Sequence, residues 1–355
     1  MPRRSDGSKE AIIIWSDRPA LELGGLQVQI RATCNALSAL DLQPILIEPE
    51  PSLRHASPGC IESAHAYRRS EQAVARLAKS ATAIYCARLY DRFALLQLAH
   101  LFRLASDLPV VLRCATTADA ARVARALPRA RPNAAVLFVH CLNQRSVDIL
   151  RRLAVRDCVV PLLAFNSLPQ PLPGCVAVTP REPRFFYCGR HAPSKNVETL
   201  AHAWKHAGQG RRLLMYGDRS LQHLALEKAG ISYLGRYQLQ VPFSTGDVVF
   251  IPSFREGHPN VLVEAFGAGA VVVGTAVPGV REHLEEGRGI GISKPFDLRA
   301  LEDAVCRAVR LSHQTRATVG RRAFAYFLRN FMRDRPSGVV AIETALDYCR
   351  RTQAN

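Results

Sequence analysis

Residues 252–267, Pro-Ser-Phe-Arg-Glu-Gly-His-Pro-Asn-Val-Leu-Val-Glu-Ala-Phe-Gly, follow a short apolar run and open a helical pattern. This arrangement is typical of a parallel α/β sheet, in which a buried strand ends in a loop that leads into a helix. Pro259 suits the first helical turn, where its missing N–H costs nothing, and the free N–H groups of that turn form an anion site. The stretch therefore predicts a ligand site at the carboxyl edge of a sheet.

Two carboxylates flank the start of this predicted helix. Glu256 lies in the loop before it and Glu264 falls in its second turn, so the two can reach opposite ends of one ligand. Carboxylates accept hydrogen bonds from hydroxyl groups, and a sugar nucleotide carries hydroxyls on both its sugar and its ribose. Taken alone, the pair is also compatible with structural roles, Glu256 as a helix cap and Glu264 as a solvated surface residue.

A second loop supplies two cations. Arg190 and Lys195 stand five residues apart after the apolar run 185–188 and before another helical pattern. Two cations beside a helix N-terminus can neutralise a diphosphate, the arginine as a planar fork and the lysine as a point charge. Without the downstream glutamates, the loop is equally compatible with a solvated basic turn.

Apolar runs alternate with helical patterns along the whole chain, which predicts two doubly wound α/β domains in tandem. Strands are predicted at 12–15, 44–48, 83–87, 110–114, 135–139, 185–188, 213–216, 231–234 and 248–251. Helices are predicted at 26–40, 68–80, 92–106, 144–154, 197–207 and 219–229, with two or three more beyond 298 that end at 341–351.

The length of 355 residues exceeds what one hydrophobic core supports, which also indicates two domains. Prolines are frequent between 162 and 184, and such a stretch favours extended chain and suits a linker. We therefore predict domains at 1–175 and 176–325, followed by a helical segment at 326–355 that packs back on the first domain.

The formal net charge of +17 raises the question of an anionic partner. The basic excess is spread over both halves of the chain, so no specific nucleic-acid module is expected. A peripheral contact with an anionic membrane stays open, through the predicted helix 92–106. That helix carries Leu95, Leu98, Leu101 and Phe102, with Arg88, Arg92 and Arg103 nearby, and is also compatible with a core-facing amphipathic helix.

The cysteine spacing and the N-terminal apolar run indicate the cellular compartment of the protein. Ten cysteines show no Cys-x-x-Cys pair and no metal-ligand spacing, which indicates reduced, mostly buried thiols. The apolar run at 11–15 is too short for a signal peptide or a membrane span. We expect a cytoplasmic protein, with a peripheral position at the inner face of the membrane left open.

The motifs, in this order, resemble the glycosyltransferase family 4 type of the GT-B fold over nearly all of residues 10–350. They comprise Gly189-Arg190 with 194–196, Tyr216-Gly217-Asp218, Leu234-Gly235, 252–265 and 278–282. In that family two glutamates separated by seven residues mark the donor site, and Glu256 and Glu264 have this spacing. The resemblance implies two Rossmann-like domains facing each other across a cleft, the first on the acceptor side and the second binding a nucleotide sugar.

The resemblance also implies an activity, which is retaining transfer of a sugar from a nucleotide diphosphate donor, a UDP-sugar by default. The acceptor would be a glycan, a lipid-linked sugar or a small molecule. By resemblance, Arg190 and Lys195 bind the donor diphosphate, and Glu256 with the backbone after Gly257 holds the transferred sugar. The implied donor site further includes Gly24, Gly25, Gly235, Arg236, His258, Pro259, Asn260, Val261 and Glu264.

Within this set, Glu264 takes the ribose hydroxyls, and the backbone at Gly235 and Arg236 borders the base. The glycines at 24 and 25 permit close approach to the phosphates, although such a pair is equally compatible with an ordinary turn.

One feature departs from the family. Its members often carry a histidine at the end of a first-domain strand, whereas the corresponding stretch 110–115 reads Val-Val-Leu-Arg-Cys-Ala. His140 ends a different predicted strand, and we interpret it as an ordinary buried or linker histidine.

The sequence contains no Asp-x-Asp motif, which favours a reaction without metal or cofactor. Fixed cations and the helix dipole would then stabilise the leaving diphosphate.

Two other functional hypotheses are compatible with the same fold. One is a non-catalytic protein that uses this fold to bind membrane or nucleic acid, which would account for the charge and for the absent histidine. The other is an epimerase or phosphorylase acting on a nucleotide sugar.

Overall fold

The computed structural model describes residues 10–16, 25–47, 76–78, 80–87, 108–130, 137–152, 159–168, 182–217, 229–235 and 243–353. The chain divides into a first unit, Met1–Phe165 with Arg335–Asn355, and a second unit, Asn166–Asp334. The sequence predicts these divisions at 175 and 325. The last segment of the chain belongs to the first unit from Arg335 onward.

The first unit contains a six-stranded parallel sheet in the order β2-β1-β3-β4-β5-β6. Its strands are β1 (Ala11–Trp15), β2 (Gln43–Ile47), β3 (Ala81–Cys86), β4 (Val110–Cys114), β5 (Leu137–Cys141) and β6 (Val159–Leu163). Its described helices are α1 (Gly25–Ala39), α2 (Thr117–Ala130), α3 (Gln144–Arg152) and, from the end of the chain, α9 (Ser337–Gln353).

Helices cover both faces of this sheet. Residues of α2 and α3 pack on one face, and residues of α1 and α9 pack on the other. This double cover explains why the central strands are mainly apolar, as in Ile12-Ile13-Ile14 of β1.

The two edge strands each contain a proline, Pro44 in β2 and Pro161 in β6. A proline lacks the N–H that a central strand would donate to its neighbour, so it is tolerated at an edge. Strand β6 completes the sheet but was not predicted from the sequence.

The second unit contains a parallel sheet in the order β12-β11-β10-β7-β8-β9. Its strands are β7 (Phe185–Cys188), β8 (Leu213–Tyr216), β9 (Ile231–Tyr233), β10 (Val248–Ile251), β11 (Val271–Thr275) and β12 (Gly289–Ile292). Its described helices are α4 (Val197–Ala207), α5 (Asn260–Gly267), α6 (Arg281–Leu284), α7 (Leu298–Val309) and α8 (His313–Asn330). The prediction of two doubly wound α/β units is thus confirmed.

Several predictions differ from the structure or fall outside its described part. The strand predicted at 135–139 runs from Leu137 to Cys141, which places His140 inside β5. The elements α2, β6, β11 and β12 were not predicted. The helix predicted at 92–106, and most of those predicted at 68–80 and 219–229, lie outside the described residues. The seven residues of the membrane hypothesis also lie outside them.

Two general expectations concern the thiols and the helices. None of the seven described cysteines is disulfide-bonded, and four of them are buried. In the described part of the chain, no helix has both the length and the apolar composition that crossing a membrane requires.

A buried carboxylate joins β7 to β10 at the start of both strands. Asp247 is fully buried, and its side chain accepts from the backbone N–H groups of Arg184 and Ser244 and from the Arg184 guanidinium at 2.8 Å. Because Arg184 directly precedes β7 and Asp247 directly precedes β10, this cluster aligns the first residues of the two strands.

We predict that Asp247→Ala lowers the free energy of unfolding by about 2–3 kcal/mol, because it leaves buried N–H donors and a cation without their acceptor. Urea unfolding followed by circular dichroism measures the change. Asp297→Ala is the matched control, since Asp297 caps α7 at the surface and its loss should cost only about 1 kcal/mol. Equal effects of the two substitutions would contradict the role given to Asp247.

Candidate functional site

The second sheet reverses its winding between β7 and β10. From β7 the chain proceeds through β8 and β9 toward one edge, and from β10 it proceeds through β11 and β12 toward the other. In doubly wound sheets, ligands bind outside the carboxyl ends of the strands at such a switch point. The loops that leave β7 and β10 are the two loops that the sequence analysis selected, and pairing of these strands makes them neighbours.

The loop after β7 forms a short 3-10 helix, Pro193–Lys195, before α4 begins. Asn196 joins the two with a left-handed backbone (φ 55°), a conformation that asparagine tolerates better than most residues. Its side-chain amide donates to the Pro295 carbonyl at 3.2 Å. The Phe254 N–H donates to the Ser194 carbonyl at 2.9 Å, which ties this loop to the loop after β10.

An ion pair joins the two loops at their centre. Lys195 Nζ lies 2.6 Å from Glu256 Oε1, and the side chains are 22% and 9% exposed. The structure thus brings together two residues that are 61 positions apart in sequence. Since both groups are largely shielded from water, their attraction is stronger than that of a surface pair.

Arg190 lies at the start of the same loop and is exposed. Its carbonyl accepts from the Tyr187 hydroxyl at 2.8 Å, which fixes the backbone at the end of β7. Its guanidinium forms no hydrogen bond or ion pair with any residue in the described ranges.

Glu264 lies in the second turn of α5, as predicted. Burial, and then the negative charge of Glu264, raise the pKa of the Cys188 thiol. Glu264 therefore lies near the carboxyl end of β7, on the same edge of the sheet as Lys195 and Glu256.

The N-terminus of α5 is held by a side chain that the sequence analysis did not identify. Asn166 Nδ2 donates to the His258 carbonyl at 2.7 Å and to Asn260 Oδ1 at 2.8 Å. Pro259 is the N-cap residue rather than part of the first turn, and Val261 is partly exposed one residue into the helix. No pattern could have identified Asn166, because its contacts span more than 90 residues of sequence.

The imidazole of His258 faces the interior. It is 4% exposed and packs against the rings of His283 and Phe331, with centroids 4.8 and 4.9 Å away. Any contribution of His258 to a ligand would therefore come from its backbone.

Gly257 is part of a close backbone contact. Gly279, which follows β11, has a φ of +82°, and a Cβ there would lie 1.8 Å from the Gly257 carbonyl oxygen. Only glycine satisfies both the positive φ and the contact. The Gly279 segment therefore supports the loop that carries Glu256.

The carboxyl ends of β8 and β9 complete this edge. The Gly217 N–H donates to the Gly235 carbonyl at 2.9 Å, and the Tyr233 hydroxyl donates to the Gly217 carbonyl at 2.7 Å. Gly235 has a φ of +77°, with no atom within 4 Å of a Cβ built there. Arg236, Asp218 and Gly24 lie outside the described residues, and Gly25 is the first residue of α1 in the first unit.

His140 lies in the interior of the first unit. Its Nε2 lies 2.9 Å from the Ala164 carbonyl, and its Nδ1 lies 3.0 Å from the Tyr85 hydroxyl. Burial, with the nearby charge of Arg113, lowers the pKa of His140 to about 3. The imidazole is therefore neutral, and Nε2 donates to Ala164 while Nδ1 accepts from Tyr85.

Within the described ranges, no three His, Cys, Asp or Glu side chains lie close enough together to hold a metal ion.

Comparisons with known proteins concern both units. Residues 182–310 match the model of a family described as glycosyl transferases group 1, and no curated protein matches the chain. Anabaena HepE in complex with UDP and glucose is 16% identical with a TM-score of 0.63, covering 97% of this chain and 99% of that chain. Sucrose-phosphate synthase from Thermosynechococcus elongatus is 18% identical with a TM-score of 0.73, covering 98% of this chain and 100% of that chain.

A third similar structure is WaaG, a glycosyltransferase involved in lipopolysaccharide biosynthesis. It is 16% identical with a TM-score of 0.62, and the match covers 95% of this chain and 98% of that chain. At this level of identity the similarities establish the fold, which is the two-unit α/β architecture of GT-B proteins.

Three glycine-to-alanine substitutions can separate the cost of a positive φ from the cost of steric overlap between a new Cβ and the neighbouring backbone. Gly279→Ala should lower the free energy of unfolding by more than about 2 kcal/mol, because it adds overlap to an unfavourable φ. Gly235→Ala, which carries only the strain, should cost about 1 kcal/mol. Gly291→Ala, with open space and no positive φ, should change it by less than about 0.5 kcal/mol. Urea unfolding of the three variants checks this order, and a neutral Gly279→Ala would refute the contact.

Proposed function

We propose that this protein is a retaining glycosyltransferase that binds a nucleotide diphosphate sugar in the second unit. The observation that carries the proposal is the Lys195–Glu256 pair at the switch point. Arg190 lies in the same loop as Lys195, and Glu264 lies near the carboxyl end of β7. The family match over 182–310 covers all four residues and supports it.

Lys195 and Arg190 would neutralise the donor diphosphate. In the structure the Lys195 ammonium is bound to Glu256, so a diphosphate would compete with a carboxylate for it. The phosphate oxygens carry more charge, and once Lys195 turns to them, Glu256 becomes free to accept hydrogen bonds from the sugar hydroxyls. In this proposal the ion pair keeps both side chains in place until the donor arrives.

The remaining donor contacts follow from position. Glu264 would accept from the ribose hydroxyls, and the backbone from Gly257 to Val261 would present the N-terminus of α5 to the phosphates and the sugar. The backbone at Gly235 and Arg236 would border the base, which we take to be uracil by default.

The proposed reaction uses no metal. The bond between the anomeric carbon and the diphosphate oxygen breaks, and the electron pair leaves with the nucleoside diphosphate, whose charge Arg190 and Lys195 stabilise. The acceptor hydroxyl attacks the same face of the anomeric carbon. Its proton passes to the departing diphosphate, so configuration is retained.

We predict that Lys195→Ala and Arg190→Ala each weaken binding of a nucleoside diphosphate. The expected loss is about 2–5 kcal/mol, which is roughly 30-fold to several thousand-fold in Kd. Glu256→Ala should not weaken diphosphate binding, because it removes the carboxylate that competes for Lys195. It should lower turnover instead, because the proposed partner of Glu256 is the sugar. Calorimetric titration with UDP and with other nucleoside diphosphates measures the affinities.

The control is Lys294→Ala, an exposed lysine in the same unit, which should bind normally. Unchanged diphosphate affinity in both Arg190→Ala and Lys195→Ala would remove the donor site from these loops.

A second prediction concerns metals. Sugar transfer should continue in excess EDTA, because fixed cations take the role of a divalent ion in the proposed mechanism. The measurement is release of nucleoside diphosphate, with and without chelator, in the presence of candidate acceptors. Loss of transfer on chelation, restored by magnesium or manganese, would overturn the metal-free proposal.

A further inference from the structure

A buried arginine lies at the carboxyl end of the first sheet. Arg113 is the fourth residue of β4 and is 7% exposed. In β4, Val110, Leu112 and Cys114 face the α2/α3 side, and Val111 faces the α1/α9 side. Because side chains alternate along a strand, Arg113 faces the α1/α9 side.

Two polar residues of the neighbouring strands share this face. Arg113 is in register with His140 of β5, and the Tyr85 side chain of β3 reaches the His140 imidazole. The charge of Arg113 acts on both, since it lowers the pKa of His140 and that of Tyr85, against the larger effect of burial on Tyr85. The Tyr85–His140 pair is neutral, so the cluster carries the single positive charge of Arg113.

No carboxylate in the described part of the chain compensates that charge. Asp119 is close enough to contribute to the raised pKa of Cys114, after burial and Cys141. However, its oxygens accept from the Thr116 N–H at 2.8 Å, the Thr116 hydroxyl at 3.0 Å and Arg122 at 2.7 Å. A cation that is buried without a partner is unfavourable, and most buried charges are paired.

We propose that Arg113 binds an anionic group, a carboxylate or a phosphate, of a ligand at the carboxyl edge of the first sheet. The long side chain stands one residue before the end of β4, where ligands of doubly wound sheets bind. A guanidinium presents a planar fork that matches the two oxygens of such a group. Tyr85 and His140 already hold each other, which leaves the fork of Arg113 for the ligand.

The identification of this ligand as the acceptor of sugar transfer rests on the proposed function, whereas the anion site itself does not. If it is the acceptor, the acceptor carries a negative charge. Transfer would then require a negatively charged acceptor, a requirement that does not follow from the residues of the second unit.

The test measures thermal unfolding of the full chain with matched charged and neutral probes: glucuronate, glucose 6-phosphate, inorganic phosphate and glucose, at constant ionic strength. All measurements use the Arg190→Ala/Lys195→Ala background, which removes the proposed diphosphate site as a competing anion site. At about five times its Kd, a probe that binds should raise Tm by roughly 2–4 °C. Glucose should not.

Arg113→Met removes the charge and keeps much of the volume, and it should abolish the Tm shift. Arg113→Lys keeps the charge but lacks the planar fork, so it should weaken anion binding about tenfold or more. This variant tests the site even if Arg113→Met does not fold. Arg113→Met without ligand should be as resistant to urea as its parent or more so, because a buried unpaired charge has been removed. A structural role would instead make it less resistant.

A shift with glucuronate alone indicates a carboxylate ligand, a shift with the phosphates alone indicates a phosphate ligand, and either supports the site. A shift that persists in Arg113→Met, or no shift with any anion, overturns it. Nucleoside diphosphate binding by the wild-type chain, measured separately, tests the proposed function, so failure of one proposal is distinguishable from failure of the other.

Discussion

The hydrogen-bonded pairing of β7 with β10 is the constraint on which the candidate site depends. These strands are separated by about sixty residues that form β8, β9 and their connections, yet they lie side by side at the centre of the second sheet. Since they are parallel, their carboxyl ends meet at one edge, and the loops with Lys195 and Glu256 leave from that edge. The buried Asp247 cluster aligns the same two strands at their opposite ends.

The largely buried cations Lys195 of the second unit and Arg113 of the first unit differ in their surroundings. In the second unit, the ammonium of Lys195 is paired with the carboxylate of Glu256. In the first unit, Arg113 lies beside a tyrosine and a histidine that are neutral. Since no described residue supplies a counter-charge for Arg113, an anionic ligand would gain free energy by supplying one.

Support for the second-unit site comes from groups distant in sequence. Asn166 holds the backbone at the start of α5, and Gly279 packs directly against Gly257. His258, which lies between the two glutamates in sequence, is turned into an aromatic cluster with His283 and Phe331. Within one motif, Glu256 is thus proposed to contact the ligand, whereas His258 packs in the core.

The sequence alone determined the fold class and the two loops of the candidate site. Apolar runs and turn residues are local signals, so the β7, β8 and β10 bounds and the spacing of Glu256 and Glu264 could be read directly from it. Local signals failed where composition was ambiguous, as at β6 with Pro161 or at β12 with its two glycines. Only the tertiary structure decided that Lys195 pairs with Glu256, that Asn166 holds α5, and that Arg113 is buried beside Tyr85 and His140. Each of these contacts joins separate strands or loops, and their partners are set by strand order and register, which no local pattern encodes.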